Sequence, residues 1–149
     1  TRRLAAQLTT SASFDSLWNV LTDYDRLNLY IPNLLSSKKI YQKNNNVHLK
    51  QVGAQDFLGM KFSAEVTIDL FEDKELGLLK FSLIKGDFRK FEGSWKIQNI
   101  KDTSKNSLIY DLTVQGCQWM PIGMIEKRLK KDLSENLIAV DRQAKLQKN

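Results

Sequence analysis

The stretch Pro121–Lys148, PIGMIEKRLKKDLSENLIAVDRQAKLQK, reads as one uninterrupted amphipathic helix of roughly seven turns. Ile122, Ile125, Leu129, Leu133, Leu137, Val140 and Ala144 recur at spacings of three and four, so they share one stripe. Pro121 stands where a first helical turn tolerates proline, because no intrahelical N–H is lost there. The runs that precede it alternate apolar and polar. A long helix with one apolar stripe, arriving after an antiparallel sheet, has one place to put that stripe: across the sheet. Such an arrangement can leave a cavity between the two layers. The chain carries no visible catalytic motif, so that cavity is its best functional lead.

Working outward, Arg3 to Thr10 reads as a first strand. Ser13 is placed as the N-cap of a helix whose face is Phe14, Leu17, Trp18 and Leu21. Asp23 is expected to cap a second short helix carrying Tyr24, Leu27 and Tyr30, ended by Ile31-Pro32 because the residue before proline avoids the α region. From Leu34 the period changes to two. Asn44-Asn45-Asn46 reads as a turn, and Phe62, Ala64, Val66, Ile68 and Leu70 as the inward set of a half-buried strand. Glu72 to Glu75, Gly86-Asp87 and Asp102 to Asn106 separate three further strands with inward sets Leu79/Phe81/Leu83, Phe91/Gly93/Trp95/Ile97 and Leu108/Tyr110/Leu112/Val114. The expected architecture is a single α+β domain over residues 1–149, a curved antiparallel sheet of about six to seven strands gripping the last helix.

Composition narrows the function classes. Hydrophobic residues make up 42% and charged residues 27% of the 149, ordinary values for a globular protein. No run approaches the ~20 apolar residues of a membrane span. Cys117 is the only cysteine and His48 the only histidine, so a cysteine zinc cluster and any multi-histidine metal site are excluded. No metal or cofactor is expected. The lone cysteine suggests a reduced, cytoplasmic compartment. No secretory signal is visible in the first residues, while the start at Thr1 leaves room for an upstream targeting segment. The net charge of +6 favours phosphate, at an anionic membrane surface or on nucleic acid, but the lysines are spread along the chain rather than clustered. Nucleic acid is therefore not the expected partner, and transient contact with a membrane surface is the sharper alternative to a plain solvated face.

The element order and several local words resemble the helix-grip fold of the START-like superfamily, which includes the polyketide cyclase/dehydrase and coenzyme Q-binding families. Trp18-Asn19-Val20-Leu21-Thr22-Asp23-Tyr24 is similar to a W-x-V-L-T-D-Y segment of the family, followed here by Tyr30-Ile31-Pro32-Asn33-Leu34. Gly86-Asp87-Phe88-Arg89, Phe91-Glu92-Gly93-Ser94-Trp95 and Trp119-Met120-Pro121 resemble its strand-edge segments and the lead into its last helix. These words also resemble cyclase/dehydrase-like proteins of photosynthetic organisms. The resemblance implies an elongated apolar pocket between sheet and C-terminal helix. It leaves the role open among carrier, chaperone, sensor and cyclase, with a prenyl quinone or pigment-like lipid as a natural ligand by analogy.

Candidate ligand contacts follow from alternation. If Val47 and Leu49 point inward, so do Gln51, Gly53 and Gln55, and a buried amide without a partner costs about 1–3 kcal/mol. A β-bulge near Val52-Gly53 would instead turn the glutamines out. Phe62, Phe81, Trp95 and Tyr110 occupy inward positions as wall, the last two with polar handles; the competing reading is a filled core. Gly93 leaves room for a neighbouring ring or a ligand. Leu129, Leu133 and Asn136 present the helix side, although Asn136 fits the polar edge of the stripe equally well. Tyr30-Ile31 and Trp119-Met120 are apolar loop segments suited to a pocket mouth. Arg128–Asp132 and Lys131–Glu135 read as exposed i,i+4 pairs. Glu65 and Asp69 face away from the apolar set, Asp87 belongs to a turn, and His48 is out of phase with the core. No residue is assigned a catalytic role. The expected function is binding of a hydrophobic small molecule, with a cyclase or dehydratase acting on a polyketide-like substrate as the rival.

Overall fold

A computed structural model describes residues 1–57, 60–116 and 122–147, with side chains at all of these except 55–57, 60 and 122–125. Strand β1 (Arg2–Thr10) leads into α1 (Phe14–Leu21), a 3₁₀ turn (Tyr24–Arg26) and the one-turn helix α2 (Leu27–Tyr30). Six strands follow: β2 (Leu34–Lys43), β3 (Asn46–Phe57), β4 (Met60–Asp73), β5 (Leu78–Gly86), β6 (Phe88–Asn99) and β7 (Asn106–Gly116). Helix α3 (Ile122–Leu146) closes the chain. The seven strands form one antiparallel sheet in the order β1-β7-β6-β5-β4-β3-β2. Six consecutive hairpin neighbours need no crossover, and β1 is brought to the far side of β7.

Local chemistry sets these elements where the sequence places them. Ser13 caps α1, its hydroxyl accepting from the Ser16 N–H at 3.1 Å. Asn44 takes a left-handed backbone (φ 55°) in the β2–β3 turn, a conformation that asparagine tolerates. Strand β4 buries Val66, Ile68 and Leu70, and β7 buries Leu108, Tyr110, Leu112 and Val114. One expectation fails. Asp23 caps no helix with its side chain. Its carboxylate instead accepts from the Tyr30 hydroxyl at 2.9 Å and lies 3.8 Å from Arg26, and the segment splits into a 3₁₀ turn and α2.

The stripe of α3 is buried at Leu133, Leu137, Val140 and Ala144. It packs chiefly on β1, α1 and β7, at one end of the sheet. Thr10 donates to Asp141 and Arg2 reaches Glu126 at 3.3 Å, so polar contacts also tie β1 to the helix. The opposite half of the curved sheet, β3 to β5, stands back from α3. Space is left where the helix does not reach.

Gly93 departs from its expected role. A Cβ there would lie 2.0 Å from the Asp111 carbonyl oxygen on β7. The missing side chain makes room for the neighbouring strand's backbone, not for a ring or a ligand. Among the described residues, no helix is long and apolar enough to cross a membrane.

Candidate functional site

A cavity of about 230 Å³ lies between the sheet and α3. Inward positions of five strands build its wall: Leu49 and Gln51 on β3, Phe62, Ala64, Val66, Ile68 and Leu70 on β4, Leu79 and Phe81 on β5, Trp95 on β6, Tyr110 and Leu112 on β7. Leu129, Asp132, Leu133 and Asn136 of α3 face them. Leu27 and the segment Ile31 to Leu34 line the remaining side. An engineered apolar cavity of ~150 Å³ accepts benzene, so this one has room for roughly ten heavy atoms.

The aromatic part of the wall is ordered by ring contacts. Trp95 stacks on Tyr110 with centroids 4.1 Å apart and planes 12° from parallel. Phe81 meets Phe91 at 5.7 Å, and Phe91 meets Phe88 at 5.1 Å. Offset and tilted pairs of this kind hold side chains in single orientations. Burial pushes the Tyr110 phenol well above its ordinary range, and the nearby Asp132 charge adds to this, so the ring keeps its proton.

Gln51 lines the cavity and donates from Nε2 to the Ser37 hydroxyl at 3.1 Å. The bulge expected as an alternative at Val52-Gly53 is absent from the β3–β4 ladder, whose register runs unbroken there. The irregularity sits instead on β2, between Leu34 and Ser36, opposite Gly53 and Val52. Phe62, Phe81, Trp95, Tyr110, Leu129, Leu133 and Asn136 all line the cavity, as does Ile31 at its loop side. Tyr30, expected at the mouth, packs against the core, and its hydroxyl donates to Asp23 at 2.9 Å. Trp119 and Met120 lie outside the described residues, as does the side chain of Gln55.

Asp132 is the cavity residue that pairing arithmetic hides. Spaced four residues from Arg128, it reads as half of a surface ion pair, yet it is only 9% exposed. Residues 129, 132, 133 and 136 fall at i, i+3, i+4 and i+7, one helical face, so Asp132 and Asn136 sit on the apolar stripe itself. Asn33 donates from Nδ2 to Asp132 Oδ1 at 3.2 Å. Burial and then the Glu135 charge push the Asp132 carboxyl up to about 6, against the lowering effects of Asn33, Arg128 and Lys131. Asn136 Oδ1 is buried with no hydrogen-bond partner among the described residues. The signal available in the sequence was that two polar side chains interrupt the stripe within one turn.

His48 stays apart from the cavity, 3.4 Å from Asp69 and tilted against the Tyr41 ring at 4.8 Å. Glu65 pairs with Lys50 at 2.9 Å, and Asp87 accepts from the Glu65 N–H at 2.7 Å in its turn. Among the described residues no three His, Cys, Asp or Glu side chains are grouped to hold a metal. The cavity chemistry is therefore an apolar wall, one stacked Trp–Tyr pair, the Gln51 amide on β3 and a small acidic-amide pole on α3.

A long terminal helix gripped by a curved antiparallel sheet, with an apolar cavity between them, defines a helix-grip protein. The chain belongs to the family described as polyketide cyclase/dehydrase and lipid transport, whose model matches residues 10–141. In fold it is similar to a Thermus thermophilus protein, TTHA0849, with a TM-score of 0.83 and 15% identity over 99% of this chain and 100% of that one. It is also similar to the Zhui aromatase/cyclase of Streptomyces sp. R1128, with a TM-score of 0.78 and 16% identity over 97% and 93% of the two chains. A STAR-related lipid transfer protein of Xanthomonas axonopodis aligns with a TM-score of 0.79 and 11% identity, over 95% and 84%. No curated protein matches the chain in sequence.

Proposed function

We propose that this chain binds a hydrophobic small molecule in the cavity between sheet and α3, as a carrier, chaperone or sensor. The observation that carries the reading is the cavity itself, about 230 Å³ walled almost wholly by apolar and aromatic side chains. Affinity would come from apolar burial, about 25 cal/mol per Å² before the cost of association. Family membership supports it, since lipid transport stands in the family's description. Lipid transfer in the Xanthomonas relative points the same way.

The direct test is native mass spectrometry of protein purified from cells. A co-purifying apolar molecule near one per chain is the expected result. The companion variant is Ala64→Leu, which adds a side chain into the cavity from β4 and should abolish that adduct while the fold persists. An empty wild-type protein that also takes up no fatty acid, quinone or isoprenoid would end this reading.

One observation favours a second reading. Asp132 is a cavity carboxyl held up to about 6, within the range useful for proton transfer near neutral pH. A cyclase or dehydratase acting on a polyketide-like chain would need little more than such a group in a cavity that folds the substrate. Loss of turnover in Asp132→Asn with ligand affinity retained would select the enzyme over the carrier.

Transient docking on an anionic membrane would suit delivery of an apolar cargo. Leu29 and Leu35, 67% and 59% exposed, flank the cavity-lining Ile31 and Pro32, and the net charge is +6. Salt-sensitive co-sedimentation with anionic vesicles is the expected behaviour.

A further inference from the structure

Two polar groups of the cavity lie together on α3, across from Gln51 on β3, whose amide is engaged with Ser37. Asp132 and Asn136 are one helical turn apart on the inward face of α3, a spacing that sets their Cβ atoms about 5–6 Å from each other. Asn33 occupies one oxygen of Asp132, at 3.2 Å. Asn136 Oδ1 is buried and has no protein partner among the described residues. An amide oxygen stranded in this way costs about 1–3 kcal/mol unless something donates to it. Leu129, Leu133, Phe81 and Trp95 line the same cavity and carry no acceptor oxygen to compete for a donor; the other side-chain amide of the lining besides Asn33 is Gln51, on β3.

From this geometry we infer that the ligand of the cavity is an apolar molecule ending in a hydrogen-bond-donating head, a hydroxyl or an amine, seated between Asp132 and Asn136. The inference rests on the cavity-binding reading and adds to it the chemical class of the ligand. Two acceptors facing one small volume select for a donor. The Asp132 charge decides the sign independently of how the Asn136 amide is turned, because a carboxylate on the ligand would meet a carboxylate on the helix. Fatty acids are therefore disfavoured, and alcohols, phenols and amines of comparable length are favoured. Capacity fits the same class. Room for roughly ten heavy atoms suits a medium-length chain or a compact ring system with its head at the α3 pole.

The experiment compares decan-1-ol, decylamine and decanoate by isothermal titration calorimetry at pH 7.5, on the wild-type chain and on Asn136→Leu and Asp132→Asn. Wild-type protein should bind the alcohol or the amine at least tenfold more tightly than decanoate, and the better of the two identifies the head. Asn136→Leu should weaken the alcohol at least fivefold and leave decanoate unchanged. Asp132→Asn keeps a side chain of the same shape that can still accept from Asn33, and should weaken the amine while strengthening decanoate. It also serves if the Asn136 variant does not fold, which circular dichroism reports. Decanoate binding as tightly as the alcohol and the amine overturns the head-group assignment and leaves the cavity reading standing. Failure of all three ligands to bind overturns both.

Discussion

Asn33 ties the loop after α2 to the last helix: in a left-handed backbone conformation (φ 65°) it donates its side-chain amide to Asp132 at 3.2 Å. Its own carbonyl accepts from the Ala54 N–H of β3 at 2.8 Å. One residue thus joins three walls of the cavity, and its backbone conformation is one that asparagine and glycine reach most easily.

Asn33→Gly keeps that backbone and deletes only the amide donor. Because the Asn33 hydrogen bond lowers the Asp132 pKa, its removal should move the carboxyl above about 6. A ¹³C-detected pH titration of the Asp132 carboxyl checks this, and an unchanged midpoint would show that the bond does not form in solution. Asn33→Ala removes the same donor but strains the left-handed backbone, and should be less stable than the glycine variant by about 1 kcal/mol.

Asp132 should also write a pH dependence into stability. Its folded pKa, about 6, lies above the ordinary 3.8, so between those values the folded chain holds a proton that the unfolded chain releases. Stability linked to this group is present below about pH 4 and is lost as pH rises through 6. Solvent at the cavity side weakens the effect, leaving on the order of 1 kcal/mol. Asp132→Asn removes the titration. Its stability advantage over wild type, measured by urea denaturation, should be about 1 kcal/mol larger at pH 7.5 than at pH 4. An advantage that does not change with pH would mean the carboxyl is not perturbed.

The contrast between Leu133 and Asp132 shows where sequence reading succeeds and where it stops. Leu133 is legible because a period of 3.6 puts it on the stripe with Leu137 and Val140, and burial follows from the stripe. Strand alternation works equally well for Phe81, Trp95 and Tyr110, and for Gln51, because β3 keeps its register on β4. Asp132 is misread because the same spacing that places it inward also places it four residues from Arg128. Charge pairing is a local rule, whereas burial here depends on the distant partner Asn33. Gly93 is misread for a similar reason: the backbone that fills its space is that of Asp111 on β7, 18 residues later in the chain.

Trp95 offers an optical report on the cavity. It lines the wall and stacks on Tyr110, whereas Trp18 is buried at 5% exposure and stacks on Phe14 at 5.9 Å. An apolar ligand entering the cavity displaces water from the indole of Trp95 and leaves Trp18 in its existing environment. Trp119 is the third tryptophan, so the measurement is made in a Trp119→Phe background: decan-1-ol should shift the emission of that protein to the blue, and adding Trp95→Phe should remove at least half of the shift. A full-sized shift in the variant would place the ligand elsewhere.

Gly93→Ala tests whether the sheet itself can yield. The added Cβ would sit 2.0 Å from the Asp111 carbonyl oxygen and 3.1 Å from the Leu112 Cα, and both are backbone atoms that cannot swing aside. Gly93 pairs with Leu112 on β7 and with Phe81 on β5, so relief requires the central strands to separate and the ladder bonds on one side to stretch. A clash with backbone belongs to the severe tail of single substitutions, so the expected loss is about 3 kcal/mol or more by urea denaturation. The neighbouring Ser94→Ala, at an outward position on the same strand, should change stability by less than about 0.5 kcal/mol. If β6 instead slides away from β7 to accept the methyl, the Trp95–Tyr110 stack is pulled apart with it. Cavity binding would then fall together with stability, whereas a purely local distortion would leave the affinity of the surviving folded fraction intact.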